Sequence, residues 1–178
     1  MNSLLEYYYP TFELYQSLRM QLMDILSDED LMFDLGGENM TLGALCRQIG
    51  ETQQSYIESF INFTQDFSYR NEQPGLAESV DRLIVWYADL DRELKSVVSA
   101  LSEEDLANRT IDRGGNFVVS PAIQLEIYKE ALLIFYGKAD IYLKAMGKER
   151  PKQWAGWIDG ENLPTATQRS GKARKASA

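Results

Sequence analysis

Four stretches of this chain carry apolar side chains at alternating steps of three and four residues, and that spacing restricts the fold more than any other feature. It is sustained longest through Val80, Leu83, Ile84, Tyr87, Leu90, Leu94, Val97 and Leu101. An α-helix returns to the same face every 3.6 residues, so such a row buries one stripe along the whole length of a helix. The same period in Phe12, Tyr15, Leu18, Leu22 and Ile25 predicts a first helix over about 8–26. Leu42, Leu45, Ile49, Tyr56, Phe60, Phe63 and Phe67 predict a second, with Thr41 as its N-cap. The third follows the break at Pro74-Gly75 and opens near Leu76. The fourth starts at Ser120-Pro121 and stops at Gly147, with Ile123, Ile127, Ala131, Ile134 and Ile141 expected to face inward.

Between the third and fourth helices the period changes. Ser102-Glu103-Glu104-Asp105 reads as a capped helical turn. Arg109–Asp112 and Phe117–Val119 flank Arg113-Gly114-Gly115-Asn116, the pattern of a short β-hairpin. The expected fold is therefore all-α, a four-helix bundle with a short hairpin between helices 3 and 4. It forms one domain over 1–164, in which Trp154 and Trp157 clamp the C-terminal segment onto the bundle or onto a partner. Residues 165–178 read as a disordered basic tail, because their small side chains bury too little apolar area to offset ordering entropy.

Composition enters as a filter on chemistry. The chain has no histidine and a single cysteine, Cys46. That excludes Ser/His/Asp and Cys/His nucleophile systems, histidine-containing zinc or iron sites and cysteine clusters. It fits a reducing cytoplasm. The tail contributes Arg169, Lys172, Arg174 and Lys175; the other 164 residues hold 14 basic against 27 acidic side chains. A body that acidic repels phosphate backbones, so nucleic acid is not an expected partner. The start, MNSLLEYYYPTFELY, lacks the features of a signal peptide, and no apolar run is long enough to span a bilayer.

Two local patterns join the layout to a known family. One is Thr41–Glu51, TLGALCRQIGE; the other is Phe135–Gly147, FYGKADIYLKAMG, ahead of which lies the Gly-Gly hairpin entering at Ser120-Pro121. Over roughly residues 5–147 the chain resembles the DinB/YfiT-like superfamily of four-helix bundles. The resemblance implies a divalent metal, often nickel or zinc, held by three histidines, with hydrolytic or thiol-transfer chemistry. It also implies a homodimer and a stress-associated role. The three ligand positions fall on Gln48, Ala131 and Phe135. None of these is a histidine, and Ala131 and Phe135 offer no donor atom. A single amide is a weak ligand for a transition metal.

Beside the resemblance stand the residues themselves. Gln48, Glu51, Gln124, Tyr128, Ala131 and Phe135 are the candidate pocket, with Gln48 either orienting a small ligand or buried as a hydrogen-bonded amide. Glu126 and Glu130 are read as solvated carboxylates rather than a magnesium site, and Asp89-Leu90-Asp91 as helix rather than a calcium loop. Cys46 and Arg47 lie near a helix N-terminus, where the dipole can lower a thiol pKa, but a lone Cys without a base or resolving partner reads as a small core or boundary residue. Lys138 reads as an exposed helix-end lysine. Tyr7, Tyr8 and Tyr9 cannot all enter one core, so with the tryptophans they suggest a dimer surface. The resulting expectation is a bundle without cofactor or metal, non-catalytic or binding a small molecule, and homodimeric. The alternative is a hydrolase or thiol-transferase-like enzyme in the same cleft, metal-independent or carboxylate/Mg-dependent, using Gln48, Glu51 and Tyr128.

Overall fold

The first turn of a helix leaves four backbone N–H groups without partners, and the residues that meet this need mark where each helix of the bundle begins. The computed structural model describes residues 2–158. Within them the chain runs α1 (Ser3–Tyr7), α2 (Tyr9–Ile25), α3 (Asp28–Leu31), α4 (Leu42–Asn62), a 3-10 turn (Leu76–Glu78), α5 (Val80–Ala100), α6 (Glu103–Asn108), β1 (Ile111–Asp112), β2 (Val118–Val119), α7 (Pro121–Ala145) and α8 (Lys152–Ile158). Ser27 and Ser102 form capping boxes with Asp30 and Asp105. The Thr41 and Ser120 hydroxyls accept from the amides of Ala44 and Ile123. No side chain of its own caps α5. The Val80 amide instead donates to the Asp28 carboxylate at 2.7 Å, tying the start of α5 to α3.

The four long helices α2, α4, α5 and α7 make the bundle. α4 packs on both α5 and α7, and α2 closes the ring against the same two. One continuous core fills the space, with Leu22, Ile57, Leu83, Leu94, Val98, Leu132 and Leu143 fully enclosed. Two glycines let backbone and ring approach α4. A Cβ on Gly43 would stand 1.8 Å from the Ala77 carbonyl oxygen, and one on Gly50 would stand 2.3 Å from the Trp86 ring.

α4 ends at Asn62 rather than reaching Phe67, because Phe63 turns left-handed at φ 57°. Its ring lies under the Arg109 guanidinium, 3.6 Å away. The turn sends the chain alongside the hairpin, where Thr64 bridges Asp112 in parallel. The Asp112 amide donates to Phe63 O at 3.0 Å and the Gln65 amide to Asp112 O at 2.7 Å. β1 and β2 pair antiparallel, Ile111 opposite Val119.

α7 overturns part of the expected facing: Ile127 and Ala131 pack against the core as expected, half-buried, but the other three residues do not. Leu125, Tyr128, Leu132, Phe135, Tyr136, Ala139, Tyr142 and Leu143 are buried. Ile123, Ile134 and Ile141 point outward at 52%, 61% and 56% exposure. The helix is apolar on two faces, so periodicity alone selects the richer isoleucine stripe. Packing selects the other, because the tyrosines and Gln124 fill more volume and find partners inside.

Tyr9 is buried while Tyr7 and Tyr8 are exposed. Trp154 folds back onto the bundle, its ring 5.0 Å from that of Tyr136 and its Nε1 donating to Leu18 O at 3.2 Å. It is thus a clamp within the chain and not a partner surface. The Trp157 side chain and the basic tail lie outside the described residues. Among the described residues no helix is long and apolar enough to cross a membrane.

Candidate functional site

A groove runs along the outer face of α4, and Gln48 and Thr52 lie where its two halves meet. Gln48 is exposed, not buried, because its step along α4 falls between the core positions Leu45 and Ile49. Toward α7 the groove is a cleft of about 170 Å³ whose walls include Gln48, Ala131, Ile134, Phe135 and Lys138. The positions of Gln48, Ala131 and Phe135 therefore line one cleft from two helices, as the family resemblance implied. On the other side lies a larger cleft of about 410 Å³, lined by Met40, Ala44, Arg47, Gln48, Glu51, Thr52, Ser55, Phe67 and Arg70. Leu45 and Phe67, both in the predicted stripe of the second helix, part company here, Leu45 entering the core and Phe67 standing on the groove wall.

The second cleft mixes charge with apolar surface. Glu51 is buried; its Oε1 accepts from the Asn71 amide at 3.1 Å and lies 3.4 Å from Arg47 Nε. That ion pair leaves Arg47 Nε without a hydrogen bond. Arg70 curls back, its Nη1 donating to the carbonyls of Phe67 at 2.7 Å and Tyr69 at 2.6 Å. Two guanidinium groups and one engaged carboxylate make the cleft net positive in a strongly acidic chain.

Gln124 and Tyr128 are elsewhere. Gln124 is fully buried; its Nε2 donates to Ser59 Oγ at 2.7 Å and Gln65 Oε1 at 2.6 Å, and its Oε1 accepts from Arg113 at 2.6 Å. It ties the hairpin to α4 and α7. Tyr128 stacks on Tyr56 at 4.7 Å within the core, and burial pushes its hydroxyl far above the ordinary tyrosine range. The trio of Gln48, Glu51 and Tyr128 is therefore not assembled around one space.

The residues present do not fit a transition metal. Gln48 offers one exposed amide, Ala131 a methyl group and Phe135 a hydrocarbon ring. Glu126 pairs with Lys129 and Asp89 with Arg92. Among the described residues no three His, Cys, Asp or Glu side chains converge as ligands. Cys46 is wholly buried, the small core residue expected of a lone thiol, and burial pushes its thiol up to about 12, so the dipole gives no activation. Lys138 is exposed, as expected.

One polar centre was missed by sequence reasoning. In the bundle interior Asp91 Oδ1 accepts from Arg19 Nη2 at 2.6 Å, Gln16 Nε2 at 2.7 Å and Gln53 Nε2 at 2.8 Å. Arg19 also lies over the Tyr87 ring, 3.9 Å from its centroid. Burial opposes the charge on Arg19 more than any other single influence, but Asp91 together with Tyr128, Tyr87 and Tyr136 outweighs it and keeps the guanidinium protonated. With three donors already on it, this carboxylate oxygen is a structural anchor. Its signal was present: Gln16 and Arg19 sit in step with Phe12 and Met23 on the inward face of α2.

No protein-family model matches the chain, and no curated protein matches it. Solved structures do. A DinB-like protein from Bacillus cereus ATCC 10987 superposes with a TM-score of 0.67 at 15% identity, covering 80% of this chain and 93% of its own. The DinB-like protein YjoA from Bacillus subtilis gives 0.58 at 15% identity, covering 76% and 88%.

Proposed function

We propose that this chain uses its DinB-like fold as a non-catalytic binding protein, and that the α4 groove takes a small organic anion. The observation that carries the reading is the convergence of Arg47 and Arg70 on the 410 Å³ cleft with Gln48, Thr52, Phe67 and Met40. The guanidinium groups suit a carboxylate, for which arginine's planar donors are shaped. Phe67 and Met40 offer apolar contact for the rest of the molecule, and Gln48 and Thr52 supply orienting polar groups. The volume matches a compact ligand, such as an aromatic or branched carboxylate. The cytoplasm remains the proposed setting, consistent with a lone buried thiol.

Calorimetric titration with benzoate and larger arylcarboxylates tests the reading. Saturable binding is expected, weakened at least tenfold, about 1.4 kcal/mol, in Arg47→Ala and Arg70→Ala. Indifference of the wild-type protein to the whole panel sinks the reading. So does stoichiometric transition metal in protein purified without chelators.

A further inference from the structure

We infer that the α4 groove is built for an elongated dicarboxylate, one acid group held by Arg47 and Arg70 and the other by Lys138, with a hydrocarbon spacer between them. This rests on the carboxylate reading above and names the class of molecule that reading takes. The smaller cleft supplies the reason. Leu45, Ile49, Ala131, Ile134 and Phe135 give it apolar walls, and Lys138 is the one charged side chain among the residues that line it.

The order of the groups along the groove matters. Gln48 and Thr52 border the Arg47 side of the smaller cleft. Leu45 and Lys138 border its other side, where it opens to a third cleft of about 270 Å³ beside Tyr142. The groove thus passes from two guanidinium groups, by two orienting polar side chains and an apolar stretch, to an ammonium. Helices packed side by side have axes about 8–10 Å apart, so groups bound at Arg47 on α4 and Lys138 on α7 are separated by about that distance. Extended suberate reaches this far; succinate does not.

Lys138 is also unmatched within the chain. The other lysines of α7 have carboxylates, Lys129 with Glu126 and Lys144 with Asp140. Lys138 is exposed and has no ion-pair or hydrogen-bond partner among the described residues. Glu38 borders the third cleft with it but does not pair with it. In a chain of net charge −9, a cation left over beside apolar walls complements a ligand that ends in an anion.

Calorimetric titration of the full chain with suberate and with octanoate tests this, because the two share a carbon chain and differ in one acid group. Suberate is expected to bind about fivefold more tightly, the strength of a partly exposed ion pair, and the margin should shrink in high salt. Succinate should show no such margin over butyrate. Lys138→Gln should remove the suberate margin, apart from the statistical gain of two equivalent ends, with octanoate binding and helical circular dichroism unchanged. Lys138→Glu should instead favour the ω-amino analogue of octanoate over suberate. Suberate binding no tighter than octanoate overturns the inference, as does a margin that survives Lys138→Gln. In both cases octanoate binding that is lost in Arg47→Ala leaves the carboxylate reading standing, whereas failure of every carboxylate ends both.

Discussion

The Arg19 guanidinium and the Asp91 carboxylate meet at 2.6 Å inside the bundle, Arg19 completely enclosed and the Asp91 side chain a quarter exposed. Asp91→Asn keeps the shape of the pair and removes its charge, leaving a buried guanidinium uncompensated. Urea unfolding is expected to show a loss of about 3 kcal/mol. Arg19→Met combined with Asp91→Leu should recover most of it, because the desolvation of both ions is then avoided. A double variant no better than Asp91→Asn would show that the hydrogen bonds to Gln16 and Gln53 matter more than the charge.

Gly43 and Gly50 differ in what crowds them. At Gly43 the obstacle is backbone, the Ala77 and Leu31 carbonyl oxygens at 1.8 and 3.0 Å; at Gly50 it is the Trp86 ring. Gly43→Ala is expected to cost about 2–3 kcal/mol, since α4 must move away from the Leu76–Glu78 turn. Gly50→Ala should cost less, because a half-buried ring can swing. Thermal melts of the two variants, read side by side, check the order.

Cys46 should ignore a chromogenic disulfide reagent at pH 8 in the native protein and react fully in denaturant. Its thiol titrates near 9.0 ordinarily and near 12 when folded. The folded state thus holds this proton more tightly, so the contribution is complete below pH 9 and drains away between about 9 and 12. Tyr87 and Tyr128, raised by burial in the same way, add to the loss above pH 10. The urea midpoint is expected to fall from pH 8 to pH 10.5.

Asp30 behaves oppositely. Burial pushes its carboxyl up, but hydrogen bonds from Lys148 and from the Ser27 amide and hydroxyl prevail and hold it below the ordinary 3.8. A depressed acid stabilises the fold above its unfolded value and loses that contribution as pH drops through the folded one. Asp30→Asn should lower the melting temperature at pH 7, and the gap to wild type should shrink below pH 4.

The bundle could be read in advance because helix length, caps and period are local. Thr41, Ser102 and Ser120 cap as their neighbours dictate, and the α5 stripe, interrupted on its buried side by Asp91, has only one apolar face to bury. α7 could not be read that way. Both its faces satisfy the same periodic rule, and the choice between them depends on Tyr56, Ser59 and Gln65, which meet it from other parts of the chain. The same limit applies to the groove. Gln48, Ala131 and Phe135 lie around one cleft because α4 and α7 run side by side, a grouping that came from the family resemblance and not from local spacing. Arg70 and Phe67 joined it only because Phe63 turns the chain back, and nothing in the sequence marks a phenylalanine for a left-handed turn.

The ties around Asp112 and Gln124 also make the α4–α7 seam uneven along its length. At the hairpin end the chain after Phe63, the strand β1 and both helices are laced by backbone and side-chain hydrogen bonds. At the other end the Tyr142 hydroxyl donates to Met40 O and the Tyr142 ring meets Phe33 edge-on, joining α7 to the chain before α4. The seam is held like a book, stitched closely along the hairpin edge and latched more lightly at Met40.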